Sequence, residues 1–340
     1  IDFANDLKGW KELTENIRIW DYTTQFTNFL APFPNIHTLK PNIELFRNSN
    51  AKWIFEQHSH HPSELFELRS YLTAQLLWNP ESNSDEIIKR FCSAYYQEAA
   101  PFILEYIGTI HKEIQNVPEF FLFLYGDPSQ GFESFLRPEL LDKYDSLYES
   151  AERAVSQKPD VLKRVKEARL STHYAILEAS RKGISENYRI SPETLIRLEQ
   201  FEEICHNAGI TLMNETRFSV DEYISAYHKT AERAALPNLA AGKPVKLLTQ
   251  PKKYAGEDPQ TLTDGALGGN SFYSNWLGYE GNDLLAVIDL EQTREISHLQ
   301  TAFLKVTNHV VFFPEWVKIS YSTDNETFYE IATKKTDHPL

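Results

Sequence analysis

The sequence predicts a multidomain chain in which an α/β segment, a helical segment and a β segment follow one another. Apolar strand-like runs alternate with helical stretches near the N-terminus, helical periodicity then dominates, and period-two patterning appears near the C-terminus. The length of 340 residues also exceeds that of a typical single domain. We expect an α/β segment at 1–80, a helical domain at 81–236, a linker at 237–251 and a β-sandwich at 252–340.

Two strand–loop–helix units make up the α/β segment. Apolar runs predict strands over 16–20 and 51–55, and helical spacing predicts helices over 6–15, 41–48 and 63–77, with Pro41 opening the second helix. This order is typical of a parallel α/β fold. Because two such units cannot form a stable sheet alone, we expect the last βα units of a TIM-like (β/α)8 barrel. The N-terminal portion of that barrel would come from a preceding part of the same protein.

Long amphipathic helices dominate the middle of the chain, and strands return after the linker. The predicted helices cover 84–96, 99–115, 138–157, 159–183, 191–208 and 219–232. Alternating apolar residues predict strands over 286–290, 296–299, 317–321 and 328–331. Few residues follow the last of these strands, so we expect a jelly-roll-like β-sandwich that lacks its final strands.

The composition disfavours two classes of partner. The formal net charge of −14 would repel a phosphate backbone, which argues against nucleic-acid binding. No apolar run approaches the roughly 20 residues of a membrane span, so no span is expected. The two cysteines, Cys92 and Cys205, lack the spacing of a metal motif or a disulfide framework and are predicted to be buried free thiols.

Each predicted strand of the α/β segment ends in a polar and aromatic motif. The first motif is Trp20-Asp21-Tyr22 and the second is Phe55-Glu56-Gln57. In an α/β barrel the substrate meets the C-terminal ends of the strands, so Asp21 and Glu56 would share one rim. Glycosidases use carboxylates at such a rim as acid, base, nucleophile or hydroxyl acceptor. Trp20 would form the floor of a sugar site, beside the Tyr22 hydroxyl and the Gln57 amide. The structural alternative is that an acidic residue after a strand caps the next helix.

A histidine-rich loop follows the second motif. His58, His60 and His61 lack the i, i+4 helical spacing of a zinc pair, so we expect a solvated loop and no metal site. His58 directly follows Gln57 and would line the cleft. Neither a Gly-rich phosphate loop nor a Gly-x-Ser-x-Gly nucleophile elbow occurs in the sequence.

Three sets of motifs carry a resemblance to a known family. They are Ile19-Trp20-Asp21-Tyr22-Thr23-Thr24 with Leu30-Ala31-Pro32-Phe33-Pro34-Asn35, then Pro41-Asn42-Ile43 with Ile54-Phe55-Glu56-Gln57, then 67–80 with 91–100. As a set they resemble a bacterial family first catalogued as a domain of unknown function and since assigned to glycoside hydrolase family 163. The resemblance covers about residues 1–115 well and the later helices more loosely. Gln97 stands where the family pattern has Gly, which puts a local turn in question.

The resemblance implies a glycoside hydrolase, an endo-β-N-acetylglucosaminidase acting on complex N-glycans. The substrate's own N-acetyl group would be the nucleophile of a retaining reaction. The catalytic acid pair of such barrels lies on a middle strand, which would be upstream of Ile1, so the chain alone would be inactive. By position, Glu56 would accept sugar hydroxyls and Tyr22 would hold the N-acetyl carbonyl, while Trp20, Asp21 and Gln57 would complete the substrate-binding rim.

The same resemblance carries expectations about partner and location. A glycan or glycoprotein would be the substrate, and the protein would be secreted, periplasmic or on the cell surface of a Bacteroides-type bacterium.

The C-terminal segment carries a second, independent resemblance. Its motifs are Leu262-Thr263-Asp264-Gly265, Trp276-Leu277-Gly278-Tyr279-Glu280-Gly281, Val287-Ile288-Asp289-Leu290, Phe313-Pro314-Glu315-Trp316-Val317 and Tyr321-Ser322-Thr323-Asp324. Together they resemble a discoidin-like sandwich, a module that follows hexosaminidase barrels in Bacteroides-type bacteria. Some such modules bind a structural calcium ion. Otherwise no cofactor is expected, and we expect a structural role for the sandwich.

Two alternatives remain open at this point. One is an α-glucuronidase-like hydrolase in which Asp21 and Glu56 act as the base pair. The other is a carbohydrate-binding protein that kept the fold and lost the chemistry. Turnover of uronic-acid substrates would favour the first alternative. The absence of an acidic residue at the middle-strand rim would favour the second.

Overall fold

A computed structural model describes residues 2–252, 258–265, 268–269, 272 and 275–336. The chain divides into two compact units, Ile1–Ala231 and Glu232–Leu340. Parts of the predicted sandwich, at 253–257 and 337–340 among others, lie outside the described residues. Within the described residues, no helix is both long and apolar enough to span a membrane.

The first unit opens with a parallel strand pair and its flanking helices. The elements are α1 (Asp2–Leu13), β1 (Ile17–Tyr22), α2 (Ile36–Asn48), β2 (Ala51–Gln57) and α3 (Phe66–Trp78). The strands pair in parallel, as the βα order predicts. Both extend beyond the predicted ends, since β1 includes Asp21 and Tyr22 and β2 includes Glu56 and Gln57.

The second helix begins earlier than predicted, because Pro41 lies inside α2 rather than at its start. A proline inside a helix costs one backbone hydrogen bond. Tertiary packing offsets that loss, since Ile36, Leu39 and Ile43 on both sides of Pro41 are buried in the main core of the unit.

Six further helices confirm the prediction of a helical middle segment. They are α4 (Ser84–Tyr95), α5 (Ala100–Gln115), α6 (Pro138–Ala154), α7 (Pro159–Lys182), α8 (Pro192–Ala208) and α9 (Val220–Ala234). Local signals mark their ends. The Asn83 side chain accepts hydrogen bonds from the backbone N–H groups of Asp85 and Glu86, and Gly183 ends α7 in a left-handed conformation at φ 67°.

One apolar core runs through the predicted α/β and helical segments together. Leu68 and Leu72 of α3 belong to the same buried cluster as Ile103 and Tyr106 of α5 and Tyr148 of α6. A smaller cluster under the sheet joins Leu7, Ile17, Ile19 and Phe46. The described residues of this unit contain one two-stranded parallel sheet, so the TIM-like barrel stays a prediction.

The second unit contains two antiparallel strand pairs among its described residues. β3 (Val245–Leu247) pairs with β4 (Ala286–Ile288), and β5 (Trp316–Tyr321) pairs with β6 (Tyr329–Lys335). β3 falls inside the stretch predicted as a linker, and no strand forms over 296–299. The described residues therefore show a mixed α/β chain with a C-terminal hairpin region, while the discoidin-like sandwich stays a prediction.

Candidate functional site

The register of β1 and β2 positions the predicted site residues. Trp20 lies opposite Phe55, Asp21 opposite Glu56, and Tyr22 opposite Gln57. Because successive side chains of a strand point to opposite faces, the five predicted site residues form two groups. Trp20, Tyr22 and Gln57 share one face of the sheet, and Asp21 and Glu56 share the other.

The first group belongs to an exposed surface that we call the aromatic face, formed by Trp20, Tyr22, Trp53, Phe55 and Gln57. The side chains of Trp20 and Trp53 are each 65% exposed, and that of Phe55 is 54% exposed. The Trp20 indole Nε1 donates a hydrogen bond of 2.7 Å to Gln57 Oε1, and the Trp20 and Phe55 rings meet edge to face at 5.2 Å. These contacts hold the Trp20 ring in one orientation.

Trp53 is absent from the sequence-based site, and Phe55 enters it only as the first residue of the Phe55-Glu56-Gln57 motif. Both occupy β2, which the sequence predicts as a strand, and both are exposed. The guanidinium of Arg18 lies 5.9 Å from the centre of the Trp53 ring. The only sequence signal for this arrangement is the alternation of side chains along a strand, which places Trp53, Phe55 and Gln57 on the same face of β2.

The second group is a carboxyl pair formed by Asp21 and Glu56. Burial and, to a lesser degree, the neighbouring Asp21 carboxylate together raise the pKa of Glu56 to about 7. Burial also raises the pKa of Asp21, against the opposing effect of hydrogen bonds from the Tyr22 backbone and the Asn42 side chain. The contact with Asn42 of α2 shows that the pair faces the helices.

The Glu56 carboxyl group has an unusual environment. Both of its oxygens are shielded from solvent and have no hydrogen-bond partner within the part of the chain that the structure describes. A buried polar group without a partner costs free energy, and such groups are rare in folded proteins. Glu56 therefore combines burial, a like-charged neighbour and a pKa near neutrality, a combination frequent at functional sites.

The histidine-rich loop is only in part the solvated loop that the sequence predicts, since His60 is exposed while His58 and His61 are half-buried. The His58 ring packs on Phe66 at 4.7 Å, and the His60 and His61 rings pack on the buried Phe29 at 5.4 and 6.5 Å. Burial and the nearby Arg69 charge lower the pKa of His58 to about 4, so this ring is neutral at physiological pH.

A buried ion pair supports the loops after both strands. Arg69 of α3 bonds Glu64 at 2.5 Å, the Phe33 carbonyl at 3.2 Å and the Asn35 side chain. Asn35 in turn donates to the Thr23 carbonyl at 3.1 Å, directly after β1. The sequence patterns did not predict this pair, although a charged residue at Arg69, four residues after Leu65 on the apolar face of a helix, was a signal for it.

Comparison with known proteins gives one partial match. Residues 1–108 match the family described as "Domain of unknown function (DUF4838)", whose description states no activity. Neither a curated protein nor a solved structure matches the chain. The matched residues include β1, β2, the aromatic face and the carboxyl pair, so the region that contains the candidate site is similar to a DUF4838 domain.

Proposed function

We propose that this chain belongs to a glycoside hydrolase of family 163 type that acts on N-acetylglucosaminides in complex N-glycans. In this proposal β1 and β2 are strands of a (β/α)8 barrel, and the second unit is a discoidin-like module. A secreted, periplasmic or cell-surface location fits a glycoprotein substrate. The observation that carries the proposal is the aromatic face, because the exposed, oriented Trp20 ring lies at the C-terminal ends of two parallel strands.

The chemistry of the aromatic face suits a pyranose ring. An exposed indole offers a flat apolar surface for the C–H side of a sugar, and a polar neighbour fixes the orientation of the ligand. Gln57 uses its Oε1 to hold Trp20, which leaves its amide NH2 group to donate to a sugar hydroxyl or carbonyl. In our proposal the Tyr22 hydroxyl donates to the N-acetyl carbonyl, and Phe55 extends the apolar surface.

The carboxyl pair has a separate role in this proposal. In a substrate-assisted reaction the N-acetyl oxygen attacks the anomeric carbon while an acid protonates the leaving oxygen. We assign Asp21 and Glu56 to substrate binding and not to that proton transfer, because the resemblance places the catalytic acid pair on a middle strand of the barrel. Both carboxyl groups face away from Trp20 across the sheet, so Glu56 would bind a sugar hydroxyl that reaches past the end of β2 and displaces the side chains that shield its oxygens.

A substitution of the exposed ring tests the proposal. In the full-length protein, Trp20→Ala should lower kcat/KM for release of N-glycans from a glycoprotein by roughly tenfold or more, because a stacked aromatic anchor contributes on the order of 1–3 kcal/mol. Trp10→Ala is the matched control, since Trp10 on α1 is similarly exposed at 60%. Released glycans would be identified by mass spectrometry. No glycan release by the wild-type protein, or equal losses in both variants, would contradict the proposal.

One observation favours a second candidate, the α-glucuronidase-like hydrolase. Asp21 and Glu56 form a carboxyl pair in which the pKa of Glu56 is about 7. Such a pair, with one carboxyl group that titrates near neutral pH, is typical of the acid and base residues of glycosidases. If this candidate is correct, the full-length protein should hydrolyse uronic-acid glycosides and leave N-acetylglucosaminides intact. Binding of sugar without any hydrolysis would instead indicate a non-catalytic carbohydrate-binding protein.

A further inference from the structure

A cluster of three side chains with metal-binding groups lies far along the chain from the aromatic face. Glu202 and His206 stand one turn apart on α8, and Asp221 stands in the first turn of α9. One ligand atom from each residue lies within 4.8 Å of the other two. The closest pair is His206 Nε2 and Asp221 Oδ1, which are 2.9 Å apart.

The geometry of this cluster is close to that of a metal site. Zinc bonds to imidazole nitrogen and carboxylate oxygen are roughly 2.0–2.2 Å long, which places neighbouring ligand atoms roughly 3–3.5 Å apart. The His206–Asp221 separation of 2.9 Å is just below that spacing, and a ligand atom of Glu202 lies within 4.8 Å of both. The side chains of His206 and Asp221 are 52% and 77% exposed, so they have room to adjust.

The chemistry of the three groups selects the kind of ion. An imidazole with two carboxylates suits a borderline divalent first-row cation such as Zn²⁺, whereas Ca²⁺ and Mg²⁺ prefer sites made of oxygen ligands alone. Glu202 and His206 have the i, i+4 spacing that brings two ligands to one face of a helix. Binding requires the neutral imidazole with its proton on Nδ1, so Zn²⁺ would replace the hydrogen bond between His206 and Asp221.

We propose that Glu202, His206 and Asp221 form a zinc site that cross-links the end of α8 to the start of α9. The segment between the two helices supports the region after β1. The backbone N–H of Phe29 donates to the Met213 carbonyl at 2.8 Å, and that of Glu215 donates to the Phe26 carbonyl at 3.0 Å. A cross-link between His206 and Asp221 closes this segment into a loop and restricts the unfolded chain.

Zinc titration tests the site directly and does not depend on the proposed hydrolase activity. We expect the chain to bind Zn²⁺ in calorimetry and to gain thermal stability with added Zn²⁺. His206→Ala should abolish both effects, and Asp221→Asn should weaken binding. Removing a residue that only hydrogen-bonds a metal ligand typically lowers metal affinity roughly 10–100-fold. Removing a ligand itself should therefore lower the affinity by at least as much. Ca²⁺ and Mg²⁺ at equal concentrations should produce no comparable shift.

The control for these variants is His228→Ala, which removes another exposed histidine from α9. This variant should bind Zn²⁺ like the wild type. X-ray absorption at the zinc edge should report one imidazole and carboxylate oxygens as ligands. Equal zinc binding by the wild type and His206→Ala would overturn the proposal, because the ion would then lie at other histidines. The proposal would also be overturned if added Zn²⁺ did not change the melting temperature of the wild-type protein.

Discussion

At the scale of single residues, Glu56 is a strongly perturbed carboxyl group of the candidate site. Its carboxyl group is buried without a hydrogen-bond partner among the described residues, and Asp21 lies beside it in register. Both features favour the neutral acid over the carboxylate. The folded chain therefore binds a proton at Glu56 more tightly than the unfolded chain, in which this group has its ordinary pKa of 4.5.

This difference predicts a pH-dependent loss of stability. Between pH 4.5 and about 7 the folded state holds a proton that the unfolded state has released, so the free energy of unfolding falls as pH rises through this range. One pKa unit corresponds to about 1.4 kcal/mol. Partial exposure screens the interaction, so we expect a contribution on the order of 1–2 kcal/mol.

Glu56→Gln would remove this dependence, because the amide mimics the neutral acid. Urea denaturation at pH 5 and pH 8 should show a variant that matches the wild type at pH 5 and exceeds its stability at pH 8. Glu12→Gln, at an exposed position of α1, is the control and should follow the wild-type profile. Parallel profiles for wild type and Glu56→Gln would show that Glu56 titrates normally.

The same residue carries a prediction about activity. If Glu56 binds the substrate as proposed, Glu56→Ala in the full-length protein should weaken turnover by roughly 2–4 kcal/mol of transition-state stabilisation, because its hydrogen bond to the sugar would be lost. Steady-state kinetics on a glycoprotein substrate would measure the loss, and folding would be checked by circular dichroism. Wild-type kinetics in a folded Glu56→Ala protein would remove this residue from the site.

The buried ion pair of Arg69 and Glu64 gives a stability prediction. Arg69→Met leaves the Glu64 carboxylate buried without its partner, which typically costs about 3–5 kcal/mol. The matched control is Arg47→Met, which breaks the exposed pair with Glu81 and should cost about 0–1 kcal/mol. Chemical denaturation of both variants would measure the difference, and similar small losses would mean that the Arg69 pair adds little.

At the scale of elements, local capping determines where the helices begin. Ser191 and Thr194 form a capping box at the start of α8, in which each side chain bonds the backbone of the other. Pro192 occupies the first helical position, where its missing N–H group costs nothing. These local contacts explain why the sequence predicts the start of α8 correctly.

Ser191→Ala should therefore destabilise the first unit by about 1 kcal/mol, the usual cost of a lost cap. Ser156→Ala, at an exposed position after α6, serves as the control and should change little. Thermal denaturation would report both. A Ser191→Ala protein with wild-type stability would mean that Pro192 and core packing suffice to start the helix.

At the scale of the whole molecule, the two compact units differ in how they bury apolar residues. The first unit contains continuous clusters of fully buried side chains, including Leu68 and Leu72 of α3. In the second unit most described strand residues are exposed, among them Trp316, Tyr329 and Ile331. Among the described residues, the buried apolar clusters all lie within the first unit, so we expect that unit to unfold as a cooperative transition of its own.

A core substitution in the first unit tests this independence. Leu72→Ala should destabilise the first unit by about 2–5 kcal/mol, because it leaves a cavity at a position with no solvent exposure. Calorimetry should show one transition that moves to lower temperature and another that does not. A single transition that shifts as a whole would show that the two units unfold together.

Much of the fold could be predicted from local patterns. Helical periodicity and end signals predicted α4 to α9 close to their observed bounds, and apolar runs predicted β1 and β2. Strand ends were harder to predict, because Tyr22 and Gln57 belong to their strands through pairing with a distant segment. The start of α2 was also missed, since packing on both sides of Pro41 outweighs its helix-breaking effect.

The sequence by itself determined the order of helices and strands in the first unit and which titratable and aromatic residues lie at the strand ends. Only the tertiary structure decided that Trp20 and Gln57 share one face while Asp21 and Glu56 share the other. It also decided that His206 meets Asp221. The physical reason is that periodicity and capping act over a few neighbouring residues, whereas strand register, burial and the resulting pKa of Glu56 depend on segments far apart in the chain.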